Sequence, residues 1–140
     1  RPDASGVISC VEKALKKSQL LSTDIDYISA HGTGTKLNDK IEAKALCSVF
    51  KNSIPPVSSI KSMIGHSLGA AAAIEAVACL LMLQHNLAVP TANFEEADEE
   101  CPIDCIPNKS RPIEINNIIS NAFAFGGNNS SLVISRYKEG

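Results

Sequence analysis

Two short apolar segments, each bordered by helical patterns, determine the fold class that this sequence predicts. Residues 26–30 (DYISA) and 57–60 (VSSI) are short and apolar enough to be buried strands. The neighbouring helical patterns cover residues 6–18, about 39–50, and 68–86. Two more strands are predicted at 117–122 and 130–137, joined by a hairpin rich in glycine and asparagine. Because strands that alternate with crossover helices pair in parallel, we expect an α/β fold with a mixed, mostly parallel sheet and packed helices.

The remaining segments give weaker patterns. Asn38 or Asp39 is the expected N-cap of the second helix, and Lys61–His66 is expected to be a loop. The acidic, proline-containing stretch 93–111 is predicted to be a loop with one short strand at Ile103–Ile106.

Composition limits the classes of protein that the chain can represent. The chain has 140 residues, 44% of them hydrophobic, which is enough for one domain with a real core. Its net charge of -2 gives no reason to expect nucleic acid or an anionic membrane as a partner. Five cysteines without metal-like spacing indicate reduced thiols and a cytoplasmic location. The apolar run Leu68–Leu83 carries Glu75, so we interpret it as a buried helix rather than a membrane span.

Polar side chains collect where the first two strands end. His31 directly follows the first strand, and Lys61 and His66 follow the second. The carboxyl ends of parallel strands share one edge of a sheet, so we expect these three residues to meet there. Two neutral imidazoles beside a lysine can donate hydrogen bonds to an oxygen that becomes negative during a reaction, such as an enolate or oxyanion.

Metal binding is the alternative for a histidine pair. His31, His66 and Asp39 could supply three ligands. Their spacing matches no compact zinc motif, and Lys61 would repel the cation, so we expect no metal.

Ser67 offers a competing chemistry. Residues Gly65–Gly69 satisfy the G-x-S-x-G pattern of a hydrolase nucleophile. Such a hydrolase supplies its acid and then its histidine after the serine, but the only later histidine, His85, precedes every later aspartate. Glu75 would lie on the same helix as His85, nearly three turns away. The order disfavours a hydrolase, and Ser67 is better interpreted as a helix N-cap or first-turn residue.

Three longer segments carry a family resemblance: HGTGTKLND (31–39), SSIKSMIGHSLGAAAAIEA (58–76) and NAFAFGGNNSSLV (121–133). In order and spacing they resemble the C-terminal half of the β-ketoacyl-acyl-carrier-protein synthases, the elongating condensing enzymes of types I and II. The resemblance implies one half of a thiolase-like αβαβα sandwich. It also implies that residues 1–140 form the C-terminal domain and that an N-terminal half of similar topology precedes them.

The resemblance implies a decarboxylative Claisen condensation of malonyl-acyl-carrier protein with an acyl thioester in fatty acid or polyketide chain elongation. His31 and His66 would be the histidines that promote loss of the malonyl carboxylate. Lys61 would be the active-site lysine, paired with Glu75 on the apolar helix. That pairing agrees with the physical expectation that a carboxylate buried among apolar residues needs a partner.

Further roles follow from the same resemblance. Thr33 and Thr35 would contact the pantetheine arm or the malonyl group. Asp39 and Glu42 would be acids that contact the catalytic residues rather than the substrate. Phe125 would gate the acyl site and contribute its backbone N–H to an oxyanion hole. Each of these residues also has a structural interpretation, as turn hydrogen bonding, helix capping or hairpin core.

Two departures from the family pattern stand out. Ala124 and Asn128 replace a glycine and a threonine of the usual gating loop. The family's nucleophilic cysteine belongs to the N-terminal half, so we expect this chain alone to be inactive and to expose an apolar patch. The implied partners are acyl carrier protein, whose phosphopantetheine arm carries the substrate, and a homodimer or heterodimer subunit. A non-condensing chain-length-factor role is the alternative within the family.

Overall fold

The computed structural model describes residues 3–137, and at Phe125 it describes the backbone alone. Four helices and six strands follow one another along this part of the chain: α1 (Ser5–Ser18), β1 (Tyr27–Ser29), α2 (Lys36–Phe50), β2 (Val57–Ser58), α3 (Lys61–Ile64), α4 (Ala71–His85), β3 (Leu87–Ala88), β4 (Arg111–Pro112), β5 (Asn117–Ala124) and β6 (Asn128–Ser135). Three short 3₁₀ segments complete the described secondary structure, at Ser22–Asp24, Leu68–Ala70 and Phe125–Gly127.

The main sheet has four strands in the order β2-β1-β5-β6. β1 pairs in parallel with both β2 and β5, with Ile28 opposite Val57 and Ile119. β5 and β6 form an antiparallel hairpin. The mixed, mostly parallel sheet predicted from the sequence is therefore confirmed. β3 and β4 form a separate two-stranded antiparallel ribbon.

Helices cover both faces of the sheet because its buried strands are apolar on both sides. One face packs against α1 and α2 through a cluster that includes Val11, Leu46 and Ile119. The other face packs against α4 through a cluster that includes Tyr27, Cys79 and Ile118. Adjacent residues of β5, Ile118 and Ile119, enter opposite clusters, as expected for successive side chains of a strand.

α4 is only partly buried, which differs from the expectation of a buried helix. Glu75, Cys79, Met82 and Leu83 face the protein, whereas a second face is open to solvent. The large apolar residues of that open face are Ile74, Val77, Leu80 and Leu81. The segment Leu68–His85 is long and apolar enough to cross a membrane by length and composition alone, a test that core helices of soluble proteins also pass. The predicted exposed apolar patch is present.

Three local predictions were wrong. Thr35, rather than Asn38 or Asp39, caps α2, because its Oγ1 accepts the Asn38 backbone N–H across 3.4 Å. Lys61–Ile64 form one helical turn rather than a loop. Within the described chain no strand forms at Ile103–Ile106, where Ile106 has a φ of 53°, outside the extended region that a strand requires.

Candidate active site

The carboxyl ends of β1 and β2 approach each other closely at the start of the site. Gly32 has a φ of 45°, and a Cβ at this position would lie 2.7 Å from Ser59 Cβ. Glycine is therefore required both for the left-handed backbone and for the close packing. This contact brings the loop after β1, which carries His31, against the segment after β2, which leads through α3, with Lys61, to His66.

The two histidine rings lie side by side at this edge. Their ring centroids are 5.7 Å apart, with an angle of 84° between the ring planes. The parallel order of β1 and β2 places both rings at the same end of the sheet, as expected from the sequence.

His31 is buried and held neutral. Its exposed fraction is 8%, and its Nδ1 has no hydrogen-bond partner among the described residues. The pKa of His31 is lowered to about 4, mainly by burial and, to a smaller extent, by the positive charge of Lys61 and by the neighbouring His66. At neutral pH the ring therefore carries one proton and can donate one hydrogen bond.

His66 is exposed at the other side of the pair. The Leu68 backbone N–H donates to His66 Nδ1 across 3.2 Å. A neutral imidazole that accepts at Nδ1 carries its proton on Nε2, so Nε2 is the nitrogen left to donate to a ligand.

Lys61 and Glu75 form a buried ion pair between α3 and α4 through Nζ and Oε1. The exposed side-chain fractions are 5% for Lys61 and 1% for Glu75. The family resemblance implied this pairing, and it agrees with the expectation that a carboxylate in an apolar helix needs a partner. A lysine held so close to His31 supplies a fixed positive field at the site.

Glu42 fastens the loop that follows β1. Its Oε1 accepts the backbone N–H of His31 and its Oε2 accepts that of Gly32, each across 3.0 Å. The pKa of Glu42 is raised overall, because complete burial outweighs the hydrogen bonds from these backbone N–H groups and from the Asn121 amide, which lower it. The carboxylate therefore fixes the backbone from which the His31 side chain projects.

The remaining predicted residues lie around the same loop. The Thr33 and Thr35 hydroxyls are 3.1 Å apart, and Thr35 also caps α2. Asp39 stands in the first turn of α2, where Asn38 donates to its Oδ1 across 3.0 Å. Thr33, Asp39 and Lys61 line one cavity of about 330 Å³, together with part of the acidic loop.

The predicted gate lies at the end of β5. The Phe125 side chain is outside the described part of the structure, so its gating role stays a prediction. Ala124 adopts an extended backbone with a φ of -130°, which any residue accepts, and positive φ begins at Gly126 with 80°. Replacing the usual glycine by alanine at 124 therefore causes no backbone strain in this conformation.

Ser67 does not have the geometry of a hydrolase nucleophile. It occupies the N-cap position of the turn Leu68–Ala70 with a φ of -82°, and its side chain forms no capping hydrogen bond there. The left-handed residue of this loop is Leu68, with a φ of 50°. The expected N-cap position is thus observed, but the serine hydroxyl does not do the capping.

The metal alternative gains no support from the geometry. Within residues 3–137, no group of three or more histidine, cysteine, aspartate or glutamate side chains is arranged to hold a metal ion. The described site can instead present two neutral imidazole donors beside one fixed cation. Such a set stabilises negative charge that develops on a substrate oxygen.

Two residues to which the sequence assigned no role, Phe123 and Asn121, contact His31 and Glu42. The Phe123 ring lies 5.5 Å from the His31 ring, and Asn121 donates to Glu42 Oε1 across 3.5 Å. Both stand on β5, at alternate positions. Neither a phenylalanine nor an asparagine indicates a functional site by its residue type. The only signal in the sequence is their spacing of two along the strand, which predicts that they share one face.

Comparison with known proteins gives a consistent family match. Residues 1–95 match the family model "Beta-ketoacyl synthase, C-terminal domain". The chain is 43% identical, over 137 residues, to 3-oxoacyl-[acyl-carrier-protein] synthase 2 of Coxiella burnetii (strain RSA 493 / Nine Mile phase I). That alignment covers 96% of this chain and 33% of the relative, so the chain spans about a third of the length of that protein.

Solved structures of related sequence share the fold. The ishigamide ketosynthase/chain length factor superposes with a TM-score of 0.95 at 40% identity, covering 97% of this chain and 34% of that one. A type II PKS acyl-carrier protein in complex with its ketosynthase bound to the hexaketide also gives a TM-score of 0.95, at 35% identity. This second match covers 99% of the present chain and 34% of the other.

Proposed function

The chain belongs to the β-ketoacyl synthase family, and on that premise we propose that it contributes His31, His66 and Lys61 to an active site for decarboxylative condensation. The proposed substrates are malonyl-acyl-carrier protein and an acyl thioester. The family acts in fatty acid and polyketide synthesis, and its members share the thiolase-like fold observed here.

The paired imidazoles carry this proposal. In the proposed step, His31 and His66 donate hydrogen bonds to the thioester oxygen of the malonyl group. The bond to the malonyl carboxylate breaks, carbon dioxide leaves, and the electron pair passes into an enolate whose oxygen the two donors stabilise. The enolate carbon then attacks the acyl thioester carbon, and the thiolate that held the acyl group leaves.

The surrounding charges support the same step. The low pKa of His31 keeps its ring neutral at physiological pH, so it can act as a donor without first losing a proton. Lys61 adds a positive field that favours the developing enolate, and Glu75 keeps that lysine buried in one position. Thr33 and Thr35 are proposed to contact the pantetheine arm or malonyl group, and Asp39 to support the loop that holds them.

The acyl group requires a reactive cysteine, which we propose lies outside this sequence. Burial raises the pKa of the Cys79 thiol to about 11 and also raises the pKa of Cys101 and Cys105. A thiol with a raised pKa is a poor nucleophile at neutral pH. Cys10 and Cys47 lie within α1 and α2 and not in the loops that carry the two histidines.

Acyl carrier protein and a second synthase-type subunit are the proposed partners. Two related structures support this: one holds an acyl-carrier protein with its ketosynthase, and the other is a ketosynthase/chain length factor assembly. The presence of both histidines and Lys61 supports the condensing role over a non-condensing chain length factor. The phosphopantetheine arm of the carrier protein would deliver the substrate, with no other cofactor proposed.

The test separates decarboxylation from acyl transfer in the full-length protein. His31→Ala and His66→Ala should each lower carbon dioxide release from malonyl thioester by about a hundredfold or more, while acyl-enzyme formation changes far less. Ser67→Ala is the matched control and should retain most condensation. Normal decarboxylation by the histidine variants would refute the proposed roles, and loss of activity in Ser67→Ala would favour a hydrolase-type serine.

A further inference from the structure

We propose that β5 positions the His31 imidazole through two side chains, Phe123 against the ring and Asn121 through Glu42. This inference rests on the proposed function of His31 in decarboxylation. It assigns Phe123 and Asn121 as positioning residues, which act through His31 and are not proposed to touch the substrate.

The two side chains share one face of β5. Successive side chains of a strand alternate between its faces, so residues 121 and 123 point to the same side. The hairpin register places Ser131 opposite Asn121 and Asn129 opposite Phe123. β5 also pairs directly with β1, the strand that leads into His31. The face of β5 that bears both residues is therefore built into the same sheet as the histidine that it contacts.

Phe123 contacts the ring directly. Its ring centroid lies 5.5 Å from that of His31, with an angle of 59° between the planes, and the side chain packs on the α1/α2 core cluster. The centroid of the His66 ring lies 5.7 Å from that of the same imidazole. The His31 ring therefore has two ring neighbours, an aromatic ring from β5 and the imidazole of His66. An apolar ring at this position excludes water from one side of His31.

Asn121 holds the backbone of the same histidine. It is fully buried, its Oδ1 accepts from Ser131 across 2.8 Å, and its amide donates to Glu42 Oε1 across 3.5 Å. Glu42 in turn accepts the backbone N–H of His31. A continuous set of hydrogen bonds thus runs from β6 through Asn121 and Glu42 to the histidine backbone.

Each part of this arrangement has a separate consequence. The charged and titratable groups near His31 are Lys61 from α3, His66 from the loop after α3, and Glu42 from α2, and Glu75 pairs with Lys61. Removing the Phe123 ring leaves these charges in place but admits water to the imidazole. Hydration stabilises the protonated form, so the pKa of His31 should rise. Loss of the Asn121 hydrogen bonds should instead make the orientation of the His31 ring less fixed, without admitting water to the ring.

The first experiment measures the pKa of His31 by NMR titration of Cε1-labelled histidine in the full-length protein. The His31 signal is assigned by its loss in His31→Gln. We expect Phe123→Leu to raise the pKa by about one unit toward its ordinary value, and Phe123→Tyr, which keeps the ring, to remain close to the parent. Phe50→Leu is the matched control, because it also removes a phenylalanine ring, in this case from the core at the end of α2. An unchanged pKa in Phe123→Leu, or an equal rise in Phe50→Leu, would overturn the role of Phe123.

The second experiment measures kcat and KM for decarboxylation by Asn121→Leu and Ser131→Ala. We expect Asn121→Leu to lower kcat about tenfold or more with KM within about twofold, because the ring is misdirected while substrate contacts persist. Ser131→Ala should show a smaller loss in the same direction. A parent-like kcat in Asn121→Leu would overturn its role. If the parent protein does not decarboxylate malonyl thioester at all, the proposed function fails, while the pKa measurement still decides the contact with Phe123.

Discussion

The backbone N–H of Leu68 donates to His66 Nδ1 across 3.2 Å, and the same residue has a left-handed φ of 50°. A bulky residue with positive φ costs free energy, and such residues persist where the surrounding structure holds them. Here the strained residue is also the one whose N–H contacts the imidazole. The hydrogen bond therefore leaves Nε2 as the nitrogen that carries the proton of a neutral His66 ring.

This coupling predicts opposite outcomes for two substitutions of Leu68. Leu68→Pro removes the N–H and cannot adopt a φ near 50°, so it should lower decarboxylation by about a hundredfold or more. Leu68→Gly keeps the N–H and accepts the left-handed backbone, so its activity should stay within a few fold of the parent. Carbon dioxide release from malonyl thioester measures both. Equal activity in the two variants would show that the hydrogen bond does not set the state of His66.

The buried pair of Lys61 and Glu75 predicts a large loss of stability when one partner is removed. Lys61→Ala leaves an uncompensated carboxylate inside α4 and should lower the free energy of unfolding by about 3–5 kcal/mol. The double variant Lys61→Met with Glu75→Leu removes both charges and should recover most of that loss. Chemical denaturation measures all three proteins. If Lys61→Ala is as stable as the parent, the pair is not buried as described.

His31 predicts a specific pH dependence of stability. Its folded pKa of about 4 lies below the ordinary value of 6.5, so the unfolded chain takes up the proton first as the pH falls. The stability is therefore complete above about pH 6.5 and decreases progressively toward pH 4, by about 2–3 kcal/mol in total. Other carboxylates titrate in this range, so the measurement is the difference between the parent and His31→Gln. A difference that does not vary between pH 7 and pH 4 would contradict the lowered pKa.

Much of the architecture could be predicted because its signals are local. The apolar segments that became β1, β2 and β5 are short and bounded by turns, and parallel pairing brings His31 and His66 to one edge. The cost of burying one carboxylate in an apolar helix indicated that Glu75 needs a partner, and the family resemblance named Lys61 as that partner. These are strong effects that a sequence displays directly.

The features that could not be predicted depend on tertiary contacts. Nothing in the sequence around Phe123 distinguishes a ring that packs on an imidazole from ordinary hairpin core. Thr35 caps α2 because the loop that carries His31 ends there, whereas Asn38 and Asp39 have equally suitable side chains. The prediction that α4 is a buried helix rests on its apolar and small residues, and these do not show what covers each face.

Lys51 predicts a stabilising substitution at the end of α2. Its backbone angles, a φ of 52° and ψ of -117°, lie in a region that only glycine occupies without strain. Lys51→Gly should therefore raise the free energy of unfolding by about 1 kcal/mol or more. Gln19→Gly, at a milder left-handed C-cap with a φ of 57° and ψ of 31°, should give a smaller gain. A loss of stability in Lys51→Gly would show that this turn does not adopt the described conformation.

The open face of α4 predicts how the 140-residue chain behaves when it is produced alone. Val77, Leu80 and Leu81 have exposed fractions of 58%, 55% and 51% on adjacent positions of one helix. A contiguous apolar surface of this kind drives association, so the isolated chain should sediment as oligomers whose size increases with concentration. Val77→Gln with Leu81→Gln should shift the chain toward monomer, while Glu12→Gln on the exposed side of α1 should not. Since the proposed nucleophile lies outside this sequence, neither form should condense malonyl and acyl thioesters. A strictly monomeric parent chain would show that this face does not self-associate, and measurable condensation by the purified chain would show that it contains a complete site.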